Sequence, residues 1–157
     1  MIKVNHLSQY YPLFKDKTVV DIGCNAGVIT ERIAEYAEKV YGVEKDIKWV
    51  RETPKDNIEY VNLPIGEFLM RGCDYNAAYA SCVLYYLTNA EINLIEKILF
   101  PKCDLIMFVS YEVKPDLGNN GLFLSKWQNI NNWLQKNGFK TEVKDDHLKW
   151  ATIIGTK

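Results

Sequence analysis

Within VVDIGCNAGVITERIAEYA, residues 19–37, an aspartate, two glycines and an asparagine separate a β-branched run from a stretch of helical periodicity. Gly23 and Gly27 permit a tight turn and a close approach of backbone to ligand, and the amides opening the next helix at Ala26 to Ile29 carry positive partial charge. A phosphate would suit those amides, yet Asp21, at the end of the preceding strand, would repel one. A carboxylate in that position suits a cationic amine instead. The spacing G-x-x-x-G is neither the dinucleotide fingerprint G-x-G-x-x-G nor the Gly-Lys-Ser/Thr loop that holds nucleotide triphosphates. A second acid, Glu44, closes the next strand in VYGVE, where a carboxylate can accept from both hydroxyls of a ribose. Together the two acids describe a ligand with a ribose and an ammonium group.

The elements that must position these residues alternate along the chain. TVVDI (18–22) reads as a strand, followed by a helix with Asn25 as its cap and Ala26, Ile29, Ile33 and Ala37 on one stripe. KVYGVE (39–44) is a second strand, trailed by a short helical segment from Asp46 to Glu52 that Pro54 ends. NIEYVN (57–62) is a third, and a turn or short helix spans Pro64 to Met70. A fourth strand covers 75–80, Ser81 to Tyr86 is a loop, and a helix runs from Asn89 to Phe100. DLIMFVS (104–110) is continuously apolar, the pattern of a strand covered on both faces at the sheet centre. The turn-rich YEVKPDLGNNGLF leads to a helix from Ser125, its expected cap, to Asn137, with Gly138 as the left-handed terminator. FKTEV and HLKWATIIG close the chain; a link of Lys144 to Asp146 is too short for a crossover, so they must pair antiparallel. Five βα units and a hairpin predict a mostly parallel three-layer α/β sheet, with ligands at the carboxyl ends of its strands.

At 157 residues the chain fits a single domain, 1–157. Its formal charge of -1 gives no global pull toward nucleic acid or anionic membrane, and the six lysines from Lys126 to Lys157 read as a solvated face. No apolar run is long enough for a membrane span and the N-terminal stretch lacks the apolar segment of a signal peptide, so the expected location is cytoplasmic. Cys24, Cys73, Cys82 and Cys103 form no CxxC pair and only His6 and His147 could join them, so buried reduced thiols are expected and no metal site is.

The chain resembles the class I methyltransferases dependent on S-adenosylmethionine. VVDIGCNAG resembles their first motif, VYGVE their second acidic strand end, CDYNAAYASCVLYYL their fourth-strand region, and WLQKNGFK to WATIIGT their closing helix and hairpin. The resemblance implies a Rossmann-like seven-stranded sheet of order 3-2-1-4-5-7-6 with strand 7 antiparallel. It implies S-adenosylmethionine as cofactor, with Asp21 near the methionyl amine and Gly23, Cys24, Asn25 and Gly27 lining the methionyl and ribose portion. Glu44 would clamp the ribose hydroxyls, with Asn62, Leu63 and Ser81 completing the cofactor site.

Departures from the family pattern bear on function. Asn25 stands where many members have glycine, and the acid common after the third strand, near the adenine amine, is absent from NLPIGEF. Adenine would then rest on backbone groups and on Leu63 and Ile65. Tyr86 stands where many relatives have histidine; a phenol of ordinary pKa near 10 is a poor base at neutral pH but can orient an acceptor. The acceptor should enter between Ser81–Tyr86 and Ser110–Gly121, with Tyr86 and Tyr111 as candidate catalytic residues, Glu112 and Lys114 nearby, and His6, Tyr10 and Tyr11 as a candidate lid. Cys82 in its apolar context reads as packed rather than nucleophilic, and Trp127, Trp133 and Trp150 as packing residues before stacking ones. Little sequence is left to wall the acceptor side, which suits an RNA or protein acceptor, a small molecule, or a partner subunit or second copy that completes the pocket. A non-catalytic binding subunit of the same fold is the competing reading, and a nicotinamide-dependent oxidoreductase is the third.

Overall fold

The computed structural model describes residues 7–46, 48, 55–111, 123–147 and 150–157. Its sheet has seven strands: β1 (Thr18–Ile22), β2 (Lys39–Val43), β3 (Ile58–Val61), β4 (Ala77–Ser81), β5 (Leu105–Tyr111), β6 (Lys140–His147) and β7 (Trp150–Thr156). Their order is β3-β2-β1-β4-β5-β7-β6, parallel from β3 through β5, with β7 antiparallel to both β5 and β6. This is the order the resemblance implied.

Side-chain parity explains the three layers. Val20, Ile22, Ala78, Ala80, Ile106 and Phe108 belong to one buried cluster, whereas Val19, Ala77, Tyr79, Leu105, Met107 and Val109 belong to the other. Alternation in strands apolar at every position therefore feeds two cores. The first is covered by α2 (Ile65–Met70), by α3 (Asn89–Leu94) with its continuation, and by α5 (Trp127–Lys136). Here Trp133 stacks on Phe108 at 6.2 Å between centroids, a core residue as expected. The second is covered by α1 (Val28–Ile33) and a 3-10 helix over Ser8–Phe14.

That 3-10 helix corrects one expectation. Tyr11 and Phe14 are buried and meet Tyr79 edge-on at 6.4 and 6.3 Å, so Tyr11 is a core residue and not a lid. The three-residue period of the 3-10 helix puts Tyr11 and Phe14 on one face, and burial of their rings sets that face inward.

Helix termini differ from expectation for local reasons. Asn25 has φ +50, outside the extended range a cap needs, and left-handed Gly27 takes the cap position of α1. Ser125 lies in a 3-10 turn (Phe123–Ser125) and its carbonyl accepts from the Ser110 hydroxyl at 2.8 Å; Lys126 precedes α5. Thr88 and Glu91 form a reciprocal capping box on α3 that the sequence carries as T-x-x-E. Beyond Leu94 a π-helical segment (Ile95–Leu99) leads into α4 (Phe100–Lys102), a widening that accommodates Pro101, which has no amide to donate. β6 extends to His147 through an irregularity between Lys144 and His147, past the link expected at Lys144 to Asp146. β5, expected at the sheet centre, is an interior strand one place from the middle of the order, which β4 holds.

Among the described residues no helix is long and apolar enough to cross a membrane. His6, most of the helix expected from Asp46 to Glu52, Glu112, Lys114 and the Gly118–Gly121 turn lie outside the described residues.

Candidate active site

A cavity of about 590 Å³ opens at the carboxyl ends of β1, β2 and β4. Asp21, Gly23, Cys24, Asn25, Glu44, Leu63, Ser81 and Tyr86, all predicted from sequence, line it.

Asp21 faces the α1 side because it shares parity with Val19, and it pairs in register with Gly42 on β2 and Tyr79 on β4. It is only 2% exposed. The Thr30 hydroxyl of α1 donates to its Oδ2 at 2.6 Å. Burial pushes the carboxyl up from its ordinary 3.8 to about 7, the Thr30 bond works against that rise, and the Glu44 charge adds to it. A buried acid in a cavity wall, with no salt-bridge partner among the described residues, is a group that a ligand cation would relieve.

Glu44 sits one residue beyond the end of β2, half-buried. Its Oε2 accepts from the Asn25 amide at 3.0 Å and its Oε1 from the Asp46 amide at 3.1 Å. Each oxygen keeps a further lone pair for a hydroxyl donor. Asn25 thus ties the first loop to the acid of the second.

The two glycines are required by neighbours. Gly23 has φ +66, and a Cβ there would lie 2.5 Å from Val83 Cγ2; Gly27 has φ +78, and a Cβ would lie 2.1 Å from the Tyr60 hydroxyl oxygen. Gly27 does not line the cavity, so the space it leaves serves packing of Tyr60 rather than ligand approach. The six-residue α1 also begins at Val28, later than expected.

Asn62 is likewise outside the cavity lining. Its amide nitrogen donates to the main-chain carbonyls of Glu44 at 3.1 Å and Lys45 at 2.8 Å, which turns the side chain toward the β2 loop. Leu63, Pro64, Ile65, Leu87 and Glu91 line the cavity instead.

The residues expected on the acceptor side are divided. Tyr86 lines the cavity and remains 43% exposed, stacked obliquely on Tyr85 with centroids 4.5 Å apart. Tyr111, 44% exposed, packs on Trp150 at 6.0 Å and does not line the cavity. Cys82, at φ +54, lines it, and burial raises the thiol above its usual range, which opposes thiolate formation. Cys24 is raised further by burial, then by Asp21 and Glu44. All four cysteines are free, with Cys24 and Cys103 buried and Cys73 and Cys82 partly so.

Thr30, Tyr79, Leu87 and Glu91 also belong to the site and were missed in sequence, whereas Val83 lies within the Ser81–Tyr86 loop expected there. The capping box would have fixed Glu91 at the start of α3, beside the loop after β4. Nothing local flags Thr30, which meets Asp21 only because α1 packs on the sheet.

No family model matches the chain. Solved structures do match over nearly its whole length. A Listeria monocytogenes protein assigned as an S-adenosylmethionine-dependent methyltransferase shares 19% identity and a TM-score of 0.72, covering 98% of this chain and 96% of that one. Magnesium protoporphyrin IX methyltransferase from Synechocystis PCC 6803, solved with bound S-adenosylmethionine, shares 18% and 0.69 over 98% and 77%. Precorrin-6y C5,15-methyltransferase from Geobacter metallireducens shares 14% and 0.70 over 99% and 88%. The chain has the class I methyltransferase fold. Within that methyltransferase fold the cavity occupies the crevice at the strands' carboxyl ends, where open α/β sheets place their ligands.

Proposed function

We propose that this protein is an S-adenosylmethionine-dependent methyltransferase. The observation that carries the proposal is the single cavity lined by both Asp21 and Glu44, one acid for an ammonium group and one for a ribose. The residues fit the cofactor: Asp21 is a buried acid that a cation would ionise, Glu44 has open lone pairs, and Leu63 and Ile65 offer an apolar wall for a base. Bound there, the sulfonium supplies the methyl group. Asp21 would hold the amine, Glu44 the ribose, and the loop from Ser81 to Tyr86 would present an acceptor lone pair in line with the departing sulfur. Placement and exclusion of water supply much of such an acceleration. Tyr86, lining the cavity and open to solvent, is the candidate for orienting the acceptor.

Titration calorimetry with S-adenosylhomocysteine tests the assignment, and no binding at millimolar concentration would overturn it. Two further results are expected. Glu44→Ala should weaken binding by about 1–3 kcal/mol, the range for hydrogen bonds to a charged group; unchanged affinity removes Glu44 from the ribose role. Affinity should also rise with pH from 6 to 8. Free Asp21 is protonated below about 7 and the bound ammonium favours its ionised form, so binding releases a proton at low pH. Binding heats measured in buffers of different ionisation enthalpy would read that proton, and a pH-independent affinity with no release contradicts the Asp21 role. Transfer of labelled methyl to the RNA, protein or small-molecule fraction of an extract would name the acceptor class.

A further inference from the structure

The loops after β1, β2 and β3 interlock around Glu44. The amides of Gly23 and Cys24 donate to the Val43 carbonyl at 2.8 and 3.1 Å, and the Glu44 amide donates to the Val61 carbonyl at 3.0 Å. The Glu44 carboxylate accepts from Asn25 and Asp46, as described above. The β2–β3 register ends at Val43 and Val61, so the carbonyls of Glu44 and Lys45 lie beyond the ladder. Asn62, the first residue after β3, reaches both of them with its side-chain amide.

We propose that Asn62 is a positioning residue for ribose recognition, extending the β2–β3 ladder by one step and thereby holding the Glu44 carboxylate in the cavity wall. The inference rests on the ribose role given to Glu44 above. It also supplies a chemical reason for an amide at a position where the family resemblance leads one to look for an acid. One –NH2 carries two protons and satisfies two carbonyls on consecutive residues; a carboxylate is acceptor-only and would face both oxygens with repulsion. Direct contact with the adenine amine is not needed for Asn62 to matter, because its effect passes through the loop that carries Glu44.

The test compares Asn62→Asp, nearly isosteric, and Asn62→Ala with the parent protein. The probes are S-adenosylhomocysteine and its 2′,3′-dideoxy analogue. Asn62→Asp should raise the Kd for S-adenosylhomocysteine at least tenfold and Asn62→Ala severalfold, while the Kd for the dideoxy analogue changes less than twofold. Equal weakening of both probes would overturn the proposal, since it would place Asn62 at the base or in general stability; so would affinities unchanged for both. Amide hydrogen exchange reads the positioning without ligand. The Asn25 and Asp46 amides should exchange at least tenfold faster in Asn62→Asp, with those of β1 and β4 unchanged, and unaltered protection at both overturns the claim. A parent protein that binds neither probe refutes the cofactor assignment, and the exchange rates then decide the positioning claim alone.

Discussion

Asp21→Asn should give a protein that is more stable than the parent at pH 8 and that binds S-adenosylhomocysteine at least ~100-fold more weakly, a loss of about 3 kcal/mol. The two effects share one cause. Asparagine keeps an oxygen to accept from Thr30 at the position where Asp21 accepts now, but it cannot neutralise an ammonium group. The stability gain follows from proton linkage. The folded carboxyl titrates near 7 and the unfolded one near 3.8, so between these values the native state binds more protons and stability falls as pH rises. Above 7 the folded protein carries a buried charge that the unfolded chain carries in water, a penalty on the order of 4 kcal/mol at 1.36 kcal/mol per pKa unit. Asparagine removes that penalty. Chemical denaturation at pH 8 and pH 4 should show the variant ahead at the first and the gap closed at the second. A variant less stable than the parent at pH 8 would mean that the carboxylate is structural, and retained affinity would detach Asp21 from the amine.

Gly27→Ala should destabilise the fold by about 2–5 kcal/mol. A left-handed residue with a Cβ costs about 1–2 kcal/mol, and overpacking adds about 1–3. Both apply here, because φ is +78 and the new carbon would fall 2.1 Å from the Tyr60 oxygen and 2.8 Å from its Cζ. Tyr60→Phe would leave the Cζ conflict in place, so the informative partner is Tyr60→Leu. In Gly27→Ala/Tyr60→Leu the steric part should be recovered and the backbone part retained, giving a favourable coupling of about 1–3 kcal/mol in a double-mutant cycle. Additive losses would show that Tyr60 is not what excludes a side chain. Cofactor binding should suffer alongside, since the turn ending at Gly27 carries the Asn25 amide that Glu44 accepts.

Particular residues show why some of this was legible in the sequence. Asp21 and Glu44 lie at the carboxyl ends of β1 and β2, and such an end in a parallel α/β sheet is where ligands bind, so both could be singled out before the sheet order was known. β5 was readable because both of its faces are apolar, which leaves a short continuous apolar run rather than a period. Tyr11 was not readable, because nothing near it in sequence reveals that Tyr79 lies opposite. Asn25 and Ser125 misled for a related reason: each is a good capping type, and each was claimed by a loop conformation set from a distance, Asn25 by Glu44 and Ser125 by Ser110. The resemblance supplied the sheet order and placed Asn62 in the cofactor site; the first survives in the structure, whereas Asn62 does not line the cavity and its side chain is spent on two carbonyls.

The four-residue β3 at the sheet's margin has a consequence for how the crevice breathes. Asp21 is anchored between two neighbours in the interior of the sheet, while Leu63 and the Asn62 clasp hang from an outermost strand with one neighbour. Marginal strands fray at lower free energy than interior ones. The Leu63 end of the crevice can therefore loosen while the Asp21 end stays fixed, and any ligand seated across both would fasten the loose border of the molecule to its keel.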